Sequence, residues 1–225
     1  MQFMITGYQN SVIVGSLLGD LHIQKSSSKV MPKCRLRFCH SLEQKKYVDW
    51  KYTIFKDNFC KTTKSPYQTD RKEYLFYTTY SDFFVPYHSM WYQKNFLNSQ
   101  KRIKIVPPNI EQLLIDPIAL AIWYLDDGTK RNYNACRFAT QSFSLDENKL
   151  LQSTLERNFN LTIKIEVDCP LRGQEWWNKK TNNKMYGLYI PSANKSFLTF
   201  KDIIYNFVKT EIPSMLYKLE GPCND

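Results

Sequence analysis

Two similar apolar segments constrain this chain more than any other feature. The first runs Ile13-Val14-Gly15-Ser16-Leu17-Leu18-Gly19-Asp20-Leu21, and the second Leu120-Ala121-Ile122-Trp123-Tyr124-Leu125-Asp126-Asp127-Gly128. Each reads as a short apolar helix that stops at an acid. A carboxylate at a helix C-terminus meets the negative end of the macrodipole and carbonyls without partners. It is unfavourable there unless a cation compensates. Two matched instances point to a paired site holding a divalent metal, bound by Asp20 and Asp127 with the nearby carbonyls of Gly19 and Asp126. Mg²⁺ suits one or two protein oxygens completed by water and phosphate, and Mn²⁺ or Ca²⁺ can take its place in binding.

The rest of the chain repeats around these segments. After Asp20 a polar loop over 24–29 precedes alternating Arg35-Leu36-Arg37-Phe38, a strand with both arginines on one face. Ser41-Leu42-Glu43-Gln44 has capping-box spacing, and Val48, Tyr52, Phe55 and Phe59 recur at helical spacing. After Asp127 come a polar loop, a strand over 137–141, a second capping box at Ser144-Leu145-Asp146-Glu147, and Leu151, Leu155 and Phe159 four apart. Further strands are expected over 74–80, 161–168 and 185–190. In 161–168, Leu161, Ile163, Ile165 and Val167 face a core and Thr162, Lys164, Glu166 and Asp168 face solvent. Aromatic helices near 82–97 and 196–209 close the halves. The join lies near 107–116, where Asp116 caps a helix that opens on Pro117. The expected domains are 1–108 and 109–225.

Each half ends in a Pro-bearing tail with a lysine, Lys104 after Asp20 and Lys218 after Asp127. A lysine near a metal-bound phosphate can orient water or neutralise developing charge. Gly15 and Gly19, four apart on one helical face, allow a backbone to approach. If the second helix packs there, both acids arrive side by side and can serve a phosphodiester.

Charge agrees with a polyanion partner. The 225 residues carry 31 Lys and Arg against 21 Asp and Glu, a net +10. Residues 1–112 hold +9 of it and residues 113–225 +1. That balance suits nucleic acid and assigns more of the phosphate contact to the first half. The aromatic and hydrophobic content excludes disorder. The six cysteines and three histidines have no zinc-site spacing, so buried reduced thiols are expected. The N-terminal residues lack signal- and transit-peptide patterns, and no apolar run is long enough for a membrane span. Abundant Lys, Asn, Ile, Tyr and Phe, all with AT-rich codons, hint at an organelle genome.

The two segments resemble those of the LAGLIDADG homing endonucleases in their single-chain, two-motif form. The second keeps Leu120, Ala121, Asp127 and Gly128 of the signature; the first keeps Gly15 and Asp20 but has Leu18 and Leu21 where the signature has Asp and Gly. The stretch over 139–143 and the ending Tyr217-Lys218-Leu219 look most like the intron-encoded mitochondrial branch. The resemblance implies an α+β fold of two αββαββα halves, with saddle-like antiparallel sheets along the DNA major groove and the motif helices packed at the interface. It implies a monomer that cuts both strands of a long asymmetric site, with Asp20 and Asp127 on Mg²⁺, Lys104 and Lys218 as basic residues, and Gln141 beside the attacking water, His40 standing in the matching place. Readout of double-stranded DNA would fall to Lys25, Lys29, Lys33, Arg35, Arg37, Arg71 and Lys72 in the first half. In the second it would fall to Lys130, Arg131, Arg137, Lys164, Arg172, Lys179, Lys180 and Lys184. Trp176-Trp177 read more naturally as loop anchors than as DNA contacts. Two other readings fit the same residues: an intron RNA maturase and a DNA-binding module without activity.

Overall fold

A computed structural model describes residues 4–28, 30–94, 102–132, 134–167, 177–178 and 183–220, with backbone alone for 177–178 and 183–184. Along the chain, α1 (Gly7–Leu18) leads into β1 (His22–Lys25) and β2 (Cys34–Ser41). Then come α2 (Lys45–Phe59), β3 (Tyr67–Gln68), β4 (Glu73–Tyr77), α3 (Val85–Trp91), the strands β5 (Tyr92–Lys94) and β6 (Arg102–Lys104), and α4 (Ile110–Leu113). The order then restarts with α5 (Pro117–Asp127), β7 (Gly128–Arg131), β8 (Ala135–Phe138), α6 (Leu145–Phe159), β9 (Lys164–Val167), the short β10 (Trp177–Asn178) and β11 (Asn183–Lys184), β12 (Tyr186–Ile190), α7 (Ser196–Glu211) and α8 (Tyr217–Glu220).

Two antiparallel four-stranded sheets follow the same plan. Their strand orders are β1-β2-β4-β3 and β7-β8-β12-β9, so the first hairpin of each half forms one side of its sheet. Their registers match as well: His22 pairs with Arg37 and Thr129 with Arg137, each pair beginning two residues after a motif acid. Phe38 and Phe138, next in line, are both buried against helices.

The motif helices carry this symmetry. Both α1 and α5 are buried nearly all round, from Val12 to Leu18 and from Ala119 to Asp126. Such helices belong inside a core rather than on it. Thr6 caps α1 in a reciprocal capping box with Gln9. Asp116 caps α5, accepting from the Ile118 N–H at 2.9 Å, and also accepts a 2.5 Å bond from the Ser11 hydroxyl on α1. The helices touch at Gly15, where an added methyl would strike the Ala119 carbonyl and the Ile122 Cβ. Ile122, at the signature's second small position, does not open the seam, because Gly15 gives way opposite it.

Several elements differ from the sequence expectation. The Ser144–Glu147 capping box forms, with bonds of 2.7 and 3.3 Å, but Ser41 makes no side-chain cap. It is still paired in β2, opposite Glu73, and α2 begins only after a short 3-10 turn over Leu42–Gln44. The polar stretches after Asp20 and Asp127 contain β1 and β7 rather than loop alone. The aromatic helix expected to reach residue 97 ends at Trp91, because Tyr92 begins a strand against Lys104. Val167, expected inside, is 47% exposed on β9, the outermost strand of its sheet among the described residues.

Candidate active site

The chemistry-bearing residues gather where α1 and α5 end. Gly19 follows the last residue of α1 and Asp126 lies in the last turn of α5. Both Lys104 on β6 and Lys218 on α8 reach back to this point. Lys104 Nζ donates to the Gly19 carbonyl at 2.6 Å, and Lys218 Nζ donates to the Asp126 carbonyl at 3.2 Å. The four residues form a pseudo-symmetric set, each lysine donating to the carbonyl just before the acid of its own half. Cations are favourable at such helix ends. The two carbonyls named by sequence as metal donors therefore each hold a lysine on one lone pair and keep a second.

Asp20 and Asp127 face both lysines. Burial raises the Asp127 carboxyl to about 7, with Asp20 and then Asp126 adding to the rise and Lys104 and Lys218 opposing it. Burial likewise raises Asp20 to about 6, with Asp126 adding and Lys51, Lys104 and Lys218 opposing. The Lys218 ammonium is lowered by burial, against the pull of the three acids. Two carboxyls that burial first, and neighbouring acids second, keep from ionising are a donor set that a divalent cation relieves. Among the described residues no group of three His, Cys, Asp or Glu is arranged to hold a metal, at this point or elsewhere. The fit to a hard cation thus rests on these two carboxylates, the free lone pairs of two carbonyls, and oxygens from water or phosphate.

The Asp126 carboxylate has a different position from that of its neighbour. It turns into the interior, fully buried, where Lys51 Nζ (2.8 Å) and the Tyr47 hydroxyl (2.7 Å) both donate to Oδ1. Its Oδ2 accepts the Asp20 backbone N–H at 3.4 Å. Burial acts to raise this carboxyl, but Lys51, His40 and Tyr47 outweigh it and hold it below the usual range. The same contacts push the Tyr47 phenol well up, burial first. Only its carbonyl, not its carboxylate, reaches the site that sequence assigned to it.

His40 lies beside this pair. Its Nε2 is 3.1 Å from Lys51 Nζ, and its Nδ1 is 3.3 Å from Asp20 Oδ2. Burial and then Lys51 lower its imidazole to about 3, so the ring is neutral at pH 7. Counting along the paired strands from Arg37 and Arg137 makes Thr140, not Gln141, the counterpart of His40. Thr140 is fully buried, and its hydroxyl donates to Asn148 Oδ1 at 2.5 Å. Gln141 follows one residue later, half-buried in a turn.

Lys51 and Tyr47 were missed by sequence reasoning, although a signal was available. Residues 47, 51, 55 and 59 repeat every four positions on the buried face of α2, and one of them is a lysine. A lysine in an apolar stripe needs a buried partner.

Of the candidate DNA contacts, Arg35 and Arg37 share the open face of β2. Arg35 Nε donates to Gln24 Oε1 at 2.9 Å, and its guanidinium lies 4.1 Å from the Tyr77 ring centre and 4.8 Å from that of Tyr80. Arg37 is tied to Glu73 at 3.4 Å. Lys25, opposite buried Cys34, and Lys33 are exposed at the end of the same hairpin. Arg71 and Lys72 are exposed in the β3–β4 turn, where Lys72 takes a left-handed φ of 59°. In the second sheet Thr129, Arg137, Tyr189 and Lys164 form one row across three pairings. Arg137 crosses Gly187, where a methyl would meet the guanidinium. Arg131 shares that face, whereas Lys130 pairs with buried Cys136 and points to the other. Lys29, Arg172, Lys179, Lys180 and Trp176 lie outside the described residues, and Lys184 and Trp177 are placed by backbone alone.

A paired-helix core ending in two acids, beneath two saddle sheets, defines a class. The chain belongs to the LAGLIDADG DNA endonuclease family, whose model matches residues 10–198. Among curated proteins it is 28% identical over 227 residues to the DNA endonuclease I-ChuI of Chlamydomonas applanata, covering 96% of this chain and 95% of that one. It is 29% identical over 217 residues to the cytochrome b mRNA maturase bI2 of Saccharomyces cerevisiae, covering 93% of this chain. The chain spans 46% of that maturase's length. Among solved structures, the homing endonuclease I-WcaI bound to its DNA recognition sequence superposes with a TM-score of 0.72 at 22% identity, covering 97% of this chain and 88% of that one. A structure of variants of the homing endonuclease I-DmoI gives a TM-score of 0.54 at 16% identity, covering 88% and 94%. These structural likenesses establish the fold. Among the described residues, no helix is long and apolar enough to cross a membrane.

Proposed function

We propose that this protein is a site-specific double-strand DNA endonuclease that hydrolyses phosphodiesters at a long asymmetric target with a divalent metal, Mg²⁺ in the cell. The observation that carries the reading is the meeting of Asp20 and Asp127 with Lys104 and Lys218 at the end of the α1–α5 seam. A bound divalent cation would supply a lowered water pKa and charge for the leaving oxygen. Asp20 and Asp127 hold it, with the Gly19 and Asp126 carbonyls beside them. Lys104 and Lys218 stand where charge develops on the phosphate, each fixed by a carbonyl rather than loose in solvent. Gln141 is the polar residue assigned to the water on the Asp127 side. The domains are taken as 1–108 and 109–225, acting as a monomer.

Arg35 is the best-prepared base reader. Gln24, Tyr77 and Tyr80 fix its fork before DNA arrives, which suits a bidentate bond to guanine. The first half, at +9, is assigned more of the phosphate contact than the second. The likeness to the yeast cytochrome b mRNA maturase and the AT-rich residue usage support an organelle setting, mitochondrial first and plastid second.

The likeness to the yeast maturase supports a second reading, an intron RNA splicing cofactor. One experiment separates the two. The protein is incubated with a randomised DNA library and Mg²⁺, and cut molecules are sequenced. An endonuclease returns a single long motif broken on both strands; a maturase leaves the library intact and accelerates splicing of an intron RNA.

A further inference from the structure

We propose that Lys51 is a positioning residue for the Asp20 side of the catalytic centre, acting through His40. The proposal rests on the endonuclease reading, but its geometry stands by itself. Lys51 Nζ lies between Asp126 Oδ1 at 2.8 Å and His40 Nε2 at 3.1 Å. An ammonium donates three hydrogen bonds and accepts none. Facing it, Nε2 must offer its lone pair, so the ring proton sits on Nδ1. The alternative, an Nε2–H donating to Asp126, is excluded by distance: Nε2 is 3.7 Å from Asp126 Oδ1. Nδ1 is 3.3 Å from Asp20 Oδ2. Lys51 therefore selects the tautomer that puts the ring N–H on the side of the Asp20 carboxylate, a close approach rather than an aligned hydrogen bond, as partners behind a metal-binding group commonly set a ring.

The backbone of Asp20 is tied to the same group. Its N–H donates to Asp126 Oδ2 at 3.4 Å. Side chain and main chain of Asp20 are both referred to one buried pair, Lys51 from α2 and Asp126 from α5. Because these residues come from different halves, the pair also ties α2 to α5.

Asp127 has no such support among the described residues. The position matching Asp126 is Gly19, which has no side chain. The position matching His40 is Thr140, whose hydroxyl is committed to Asn148. The position on α6 matching Lys51 is Leu151, fully buried and without a polar side-chain atom. The two acids are thus held by different chemistry, and the two strand cuts depend unequally on Lys51.

The test has two readouts. Long-range proton–nitrogen NMR of labelled histidines in the metal-free protein is expected to show His40 as the Nδ1–H tautomer. The Lys51→Met/Asp126→Asn variant removes both buried charges together, so neither is stranded, and is expected to release His40 to the Nε2–H form. Strand-resolved cleavage of the selected target is expected to change the ratio of the two strand rates by about fivefold or more, with the Kd for DNA within about twofold. His40→Gln, which leaves the Lys51–Asp126 pair intact, is expected to move the ratio in the same direction. An Nε2–H tautomer in the wild-type protein overturns the proposal. So does a strand ratio unchanged in His40→Gln. A wild-type protein that cuts no DNA refutes the endonuclease reading instead, and the tautomer still decides whether Lys51 sets the ring.

Discussion

Gly15 and Ala119 meet with no side chain between them: the α carbon of one faces the carbonyl of the other, and a methyl on Gly15 would overlap that oxygen. The contact sets the spacing of α1 and α5, and the spacing sets where Asp20 and Asp127 arrive. Gly15→Ala must push the helices apart. The expected loss is about 2–3 kcal/mol, near the upper range for overpacking. Gly7→Ala is the control, since nothing lies within 4 Å of its would-be methyl. It is expected to be neutral or to stabilise by up to about 1 kcal/mol through helix propensity. Urea denaturation of both variants in chelator measures the difference.

The Lys51–Asp126 pair makes a second prediction. Removing one member strands a buried charge, so Lys51→Met alone is expected to cost about 3–5 kcal/mol. The Lys51→Met/Asp126→Asn double variant is expected to recover a large part of that loss. A double-mutant cycle by chemical denaturation reports the coupling. Additive losses would mean that the two charges do not depend on each other.

Metal-free stability is expected to carry a pH signature of the paired acids. Folding raises the Asp20 and Asp127 carboxyls from 3.8 to about 6 and about 7. Between those limits the folded state keeps protons that the unfolded state has released, so these groups lower stability as pH rises through the window. The depressed His40 works in the opposite direction, so the informative quantity is a difference between proteins. Asp127→Asn is expected to melt a few degrees above wild type in chelator at pH 8, and at the same temperature near pH 4. Added Ca²⁺ is expected to raise the wild-type Tm far more at pH 8 than at pH 5.5.

Lys104→Met and Lys218→Met remove the donors on Gly19 and Asp126. Because each lysine is assigned to charge that develops during reaction, kcat is expected to fall about 10²-fold with DNA binding changed only a few-fold. Single-turnover cleavage and a binding titration in Ca²⁺ separate these effects.

Much of this architecture was written in repeats that obey local rules. The motif pair, the Ser144–Glu147 box, the Asp116-Pro117 start and the Arg35/Arg37 alternation each form as their spacing requires, because each is decided within a few residues. Misread features were decided at long range. Ser41 stays in its strand because Glu73 pairs with it, and the helix before residue 92 stops because Tyr92 pairs with Lys104. The inward turn of Asp126 could not be read from its own segment, where it looks like a twin of Asp127. It depends on Lys51 and Tyr47, which lie 75 and 79 positions away.

The central claim is that Asp20 and Asp127 jointly form one metal-dependent centre for cutting DNA. Its most direct test is strand-resolved cleavage of the library-selected target, with Mg²⁺, by Asp20→Asn and Asp127→Asn. Each variant is expected to bind the target with nearly wild-type affinity and to make no double-strand break, leaving intact or nicked product. Cleavage of both strands at the wild-type rate by either variant would contradict it.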